Sequence, residues 1–99
     1  MQPLDKFKGA KLKRFDLGKE SSGFEFDCGT LAAFNPTEVT GEQDALIGSK
    51  VLAVTFARDE SLKIELSNNL TIKISLEPDC WEGPEAFCAT FKDGTIVVE

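Results

Sequence analysis

Apolar and polar residues alternate along most of this chain, and three stretches carry the alternation through a turn: FEFDCGTLAAF at 24–34, IELSNNLTIKI at 64–74 and ATFKDGTIVVE at 89–99. Each is an apolar run of period two, a turn pair (Cys28-Gly29, Asn68-Asn69, Asp93-Gly94) and a second apolar run, the sequence form of a β-hairpin. A two-residue turn at Asp93-Gly94 sets Phe91 opposite Ile96 and Ala89 opposite Val98. The same turn at Cys28-Gly29 sets Phe26 opposite Leu31 and Phe24 opposite Ala33. In the middle stretch a two-residue turn would oppose polar Ser67 to Leu70. A three-residue loop, Ser67-Asn68-Asn69, removes the conflict; it pairs Leu66 with Leu70, Ile64 with Ile72 and Leu62 with Ile74, and it requires a left-handed residue at Asn69. It also opposes Lys63 to Lys73, with Glu65 diagonal to Lys73 to relieve the repulsion.

Strands are predicted at 10–17, 22–27, 30–34, 49–57, 61–67, 70–76, 86–92 and 95–98. Residues 1–8 read as a loose or short helical start, with Leu4 and Phe7 docked on the sheet. At most one other short helix is expected, near 40–47, where Thr40 and Gln43 have capping-box spacing and Gly48 stops the turn. Two long acidic connections, 35–45 and 77–86, separate the strands. The fold class is mainly β: antiparallel hairpins forming a small barrel or a strongly twisted sheet, with an open sheet crossed by one helix as the other arrangement. The length of 99 residues gives a single domain, 1–99. Phe7-Lys8-Gly9-Ala10-Lys11-Leu12 leads to Phe15 as Leu46-Ile47-Gly48-Ser49-Lys50-Val51 leads to Val54, and each run feeds a hairpin. Either the chain has two related halves, about 7–36 and 46–76, followed by a C-terminal hairpin at 86–99, or short β-like words coincide.

Composition removes most catalytic chemistry. The chain has no histidine, which takes away the commonest general base and metal ligand and any Ser-His or Cys-His pair. No glycine-rich phosphate loop follows a strand and opens a helix. Eight phenylalanines and no tyrosine favour a purely apolar core. The three cysteines, Cys28, Cys80 and Cys88, have no metal or redox spacing and read as small space-fillers in a reduced, cytoplasmic protein. No apolar run is long enough to span a membrane, and no secretion signal is expected. Residues 1–14 carry five bases against one acid, +4, and the rest carry six bases against sixteen acids, −10. So acidic a chain should repel nucleic acid and attract basic proteins. Lys8, Lys11 and Lys13 read as the wet side of an edge strand.

The second acidic connection holds the candidate site. Trp81, the only tryptophan, lies outside the alternating strands with Glu77, Asp79, Glu82 and Glu85 around it. One flat anchor ringed by carboxylates is the makeup of a hot spot for a basic partner; the other reading folds Trp81 inward as a plug for one end of a barrel. A glycosidase pair would need two carboxylates on rigid elements flanking a cleft, for which so small a domain has little material. A calcium site would need a DxDxDG-type spacing that the loop lacks.

Leu46-Ile47-Gly48 with Val51 and Val54, then Leu62, Ile64, Leu66, Leu70 and Ile72, then Gly83-Pro84-Glu85-Ala86 and Asp93-Gly94 carry a resemblance across residues 45–99. In these positions the chain resembles a group of small, uncharacterised bacterial β proteins, some encoded near polymorphic toxin systems where immunity proteins are found. Asn69 stands where a turn glycine would be expected. The resemblance implies a fold and no catalytic residues. The expected function is a non-catalytic protein-binding module, an immunity-type inhibitor that occludes a basic toxin domain, with no cofactor and no metal. The alternatives are a small barrel that binds an apolar molecule among Phe24, Phe26, Phe87 and Phe91, and a self-associating subunit that pairs sheet edges. The oligomeric state is open, with a dimer among the options.

Overall fold

The computed structural model describes residues 3–18, 21–77, 79 and 86–98. Nine strands lie among them: β1 (Leu12–Leu17), β2 (Ser22–Phe26), β3 (Gly29–Ala33), β4 (Thr37–Thr40), β5 (Val51–Ala57), β6 (Ser61–Leu66), β7 (Leu70–Ser75), β8 (Phe87–Phe91) and β9 (Ile96–Val98). They form two antiparallel sheets, ordered β1-β2-β3-β8-β9 and β4-β7-β6-β5. The fold is therefore mainly β, as two twisted sheets and not a closed barrel. Both sheets turn one face to a single apolar core that contains Phe24, Phe26, Leu31 and Phe87 from the first and Leu62, Ile64, Ile72 and Ile74 from the second.

Short 3-10 helices, Pro3–Phe7 and Gln43–Ala45, precede β1 and β5 and stand where the helical start and the short helix at 40–47 were expected. Leu4 and Phe7 are buried, and the Phe7 ring lies 5.0 Å from Phe26 and 4.7 Å from Phe91, centroid to centroid. Across the core, Phe56 of β5 meets Phe87 of β8 edge-on at 6.3 Å.

The runs that follow these helices cross each other through matched backbone hydrogen bonds. The Gly9 N–H donates to the Val51 carbonyl at 2.9 Å and the Gly48 N–H to Leu12 at 2.7 Å; the Leu12 N–H donates to Ser49 at 2.9 Å and the Val51 N–H to Ala10 at 2.8 Å. Gly9 and Gly48 have φ of 83° and 88°, left-handed values that glycine adopts without steric cost. An isolated bridge pairs Lys11 with Lys50 at the centre. Each run then enters a strand with a register shift, at Leu12/Arg14 and at Val51/Ala53. The match extends to the far ends of the sheets, where the Phe34 N–H donates to Ala86 at 2.7 Å and the Ser75 N–H to Pro36 at 3.0 Å. β4 thus follows the first hairpin but pairs with β7, and β8 follows the second but pairs with β3. The strand that follows each of these two hairpins thus joins the other hairpin's sheet.

The middle hairpin has the expected three-residue loop and register, with positive φ at both Asn68 (65°) and Asn69 (60°). Glu65 pairs with Lys63 at 3.4 Å, its own strand neighbour, rather than with Lys73. The first hairpin differs from expectation: the turn is Asp27-Cys28, so Phe26 faces Gly29 and Phe24 faces Leu31. Gly29 is the first residue of β3, paired with Phe91 of β8, and the position needs glycine: a Cβ there would lie 2.3 Å from the Thr90 carbonyl oxygen and 2.8 Å from the Phe91 Cα. The last hairpin differs by one residue. Thr90 faces Ile96 and Cys88 faces Val98, so Val97 packs on the core while Ile96 and Val98 are exposed. The longer turn is held by the Asp93 carboxylate, which accepts the Thr95 N–H at 2.9 Å and pairs with the Lys6 ammonium. A one-residue slip sends every side chain to the other face. β4 was not expected as a strand; TEVT carries one apolar residue, and pairing with β7 makes it one.

Two outcomes are expected. Gly48→Ala should cost about 1 kcal/mol, from its positive φ alone, whereas Gly29→Ala should cost about 3 kcal/mol, because β8 must move; urea unfolding of the two variants measures the difference. The Lys6 ammonium, with the Thr95 N–H, holds the Asp93 carboxyl well below its usual 3.8. Its contribution to stability is therefore full above the unfolded carboxyl's pKa and is lost as the pH falls through the lower folded value. An NMR titration of the Asp93 side chain should give a midpoint well below that of a free aspartate, and Lys6→Ala should raise it.

Candidate functional site

Trp81, Glu82, Glu85 and Cys80 lie outside the described residues. Glu77 and Asp79 are described, and both are exposed. The fold brings Glu77 together with acids distant in sequence. A shallow groove of about 210 Å³ is lined by Pro36, Thr37, Glu38, Glu60, Lys73, Ser75 and Glu77. Three elements converge there. Glu38 sits on β4 directly opposite Lys73 of β7. Glu60 closes the β5–β6 turn, where Asp59 takes a positive φ of 63° and the Glu60 N–H donates to Ala57 at 3.0 Å. Glu77 follows β7, and its neighbour Leu76 donates to the Glu60 carbonyl at 3.0 Å, which ties the two acidic segments together. Asn35 sits behind the groove, buried, with its Nδ2 donating to the Ser75 carbonyl at 2.8 Å.

Three carboxylates and one ammonium leave the groove with a net charge of about −2 at neutral pH. Among the described residues, no group of three or more acidic or cysteine side chains is placed to hold a metal ion. An open, shallow and exposed surface of this kind suits lysine and arginine side chains of another protein, which can pair with the carboxylates without leaving water. Glu38 belongs to the first acidic connection, but no local signal tied it or Glu60 to Glu77. They stand 22 residues apart in the chain, and only the pairing of β4 with β7 and the turn after β5 brings them to Glu77.

A basic surface lies at the other end of β5. Lys8, Lys11, Lys13, Arg14 and Lys50 are all exposed around the crossing of the two glycine-containing runs, and Arg14 pairs with Glu25 at 3.5 Å. Six residue steps along β5, from Val51 to Ala57, put about 20 Å between this surface and the groove. Neither described cysteine is set up as a nucleophile. Burial, and then the neighbouring Asp27 carboxylate, push the Cys28 thiol above its usual pKa, and Cys88 lies on the outer face of β8 with its sulfur 3.9 Å from the Thr90 hydroxyl. Phe24, Phe26, Phe87 and Phe91, considered as walls of a ligand cavity, are at most 4 % exposed and pack as core. No helix among the described residues is long and apolar enough to cross a membrane.

Comparison with family models, with curated proteins and with solved structures finds no match to this chain.

Proposed function

We propose that the protein is a non-catalytic binding module, most concretely an immunity-type inhibitor that covers the basic surface of a toxin domain with its acidic groove. The observation that carries this reading is the convergence of Glu38, Glu60 and Glu77 from three elements onto one open surface. The resemblance read in residues 45–99 to small bacterial proteins, some of them encoded near toxin systems, supports it, as does the absence of histidine from the chain. Inhibition would be by occlusion. The carboxylates would meet lysines and arginines that otherwise hold nucleic acid, and Asp79, Glu82 and Glu85 would extend the negative surface along the same connection, with Trp81 as its anchor. No cofactor enters this reading, and a cytoplasmic site of action is part of it. Long-range attraction between a chain of net charge −6 and a basic partner would speed association and weaken with salt.

The test uses the full chain as bait in an extract of its source cells, beside a Glu38→Lys/Glu60→Lys/Glu77→Lys variant and Trp81→Ala. The expected result is a basic protein retained by the wild type, released by raised salt, and bound at least tenfold more weakly by the triple variant, a loss of about 1.4 kcal/mol or more. Trp81→Ala should weaken it further than any single charge change. Retention of no basic protein, or of one indifferent to both the substitutions and the salt, would show the reading to be wrong.

A further inference from the structure

The outer faces of the two sheets share a plan and differ in character. On the solvent side of the four-stranded sheet, one row of cross-strand neighbours reads Glu38, Lys73, Lys63, Thr55 across β4, β7, β6 and β5. The corresponding row of the five-stranded sheet reads Cys88, Ala32, Gly23, Asp16 across β8, β3, β2 and β1, and Val98 of β9 extends it. Where one sheet carries three charges, the other carries cysteine, alanine and glycine. The next row reads Arg14, Glu25, Thr30, Thr90, Ile96. All charge on these two rows is thus confined to β1 and β2. The outward residues of β3, β8 and β9 are uncharged in a chain that is 28 % charged, and the register of the last hairpin adds Ile96 and Val98, 62 % and 43 % exposed. At Gly23 a Cβ would meet nothing within 4 Å, and a dent of about 230 Å³ lies beside Arg14, Asp16 and Thr30.

We propose that this face is the contact surface of a homodimer, in which the five-stranded sheets of two copies pack face to face about a two-fold axis running across the strands. Charge complementarity selects a second copy as the occupant. Such an axis lays each strand over the same strand of the second copy with its direction reversed, so the Asp16 row of one copy covers the Arg14 row of the other. Arg14 then meets Asp16 of the second copy, and the contact occurs twice, as an isologous interface requires. Ile96 meets Val98, Thr90 meets Cys88 and Thr30 meets Ala32. Glu25 falls over the dent at Gly23. An axis parallel to the strands would instead press Arg14 and Asp16 against the apolar β9, so that Asp16 would be desolvated with no basic partner across the interface. Small residues along the central strands let the sheets approach to the about 10 Å of packed β layers. Five strands at about 4.8 Å spacing give a narrow face, short of the about 800 Å² per partner of a standard interface, so the dimer is weak and fills with concentration.

Sedimentation equilibrium of the full chain, from micromolar to millimolar, tests this, with near-ultraviolet circular dichroism to confirm that each variant is folded. The wild type should show a monomer–dimer equilibrium. Ala32→Lys, which puts on this face the side chain that Lys73 presents on the other sheet, should be monomeric. Arg14→Asp and Asp16→Arg should each weaken association several-fold, and the double exchange should restore it, because both contacts re-form with their ends interchanged. A wild type that stays monomeric throughout overturns the proposal. So does a dimer that survives Ala32→Lys, which is then paired by its edges, and so does a double exchange no stronger than the single changes.

Discussion

The reciprocal tie between the runs 9–12 and 48–51 is the constraint on which the rest of the structure depends. Four backbone hydrogen bonds of 2.7 to 2.9 Å fasten the run that enters β1 to the run that enters β5. Each run can lie flat against its counterpart because a glycine at its start adopts a left-handed conformation. From that tie the two hairpins run outward, and the returning strands β4 and β8 cross to the opposite sheet. The interior is closed from both sides by the same device. Neither hairpin pair could bury its apolar face alone; each supplies the other's cover and one of its strands. The cost of the arrangement is visible at its centre, where Lys11 faces Lys50. Both are exposed, so water and salt screen the repulsion.

The tie also organises charge. It gathers Lys8, Lys11, Lys13 and Arg14, with Lys50 from the second run, at one end of the molecule. The far ends of β5 and β7, with the turn that leads to β6, gather Glu38, Glu60 and Glu77 at the other. A chain of net charge −6 is therefore polarised rather than uniformly acidic, and a charged partner would meet it in a preferred orientation. The two sheet faces are polarised in a second sense: one carries an ordinary solvated pattern of lysine, glutamate and threonine, and the other is bare of charge over three strands. The proposed recognition by the groove and the proposed association through the bare face would use different surfaces, so neither excludes the other.

Much of the fold was legible because its signals are local. The middle hairpin followed from a conflict between Ser67 and Leu70 that only a three-residue loop resolves, and the parallel between the Phe7–Leu12 and Leu46–Val51 runs lay in the glycine and apolar spacing. The other two hairpins were misread by one step each, for reasons that no local pattern contains. Gly29 looks like a turn residue, yet it opens β3 opposite Phe91, at a position where β8 leaves no room for a side chain. Asp93-Gly94 looks like a two-residue turn, yet the Asp93 carboxylate lengthens it by capturing the Thr95 N–H, with Lys6 from the other end of the chain held against it. β4 is a strand by partnership rather than by propensity. The site divides in the same way: Glu77 and Asp79 stood out as acids in a long connection, while Glu38 and Glu60 reach Glu77 only through long-range pairing.

Hydrogen exchange at the Gly9, Leu12, Gly48 and Val51 amides tests the tie most directly. All four should exchange slowly and at similar rates, close to the rate set by global unfolding, because opening any one of them separates the two sheets. Fast exchange at Gly9 and Leu12, as at a fraying terminus, with protection kept at Gly48 and Val51, would mean that the first run is an appendage and the crossing does not hold the molecule together.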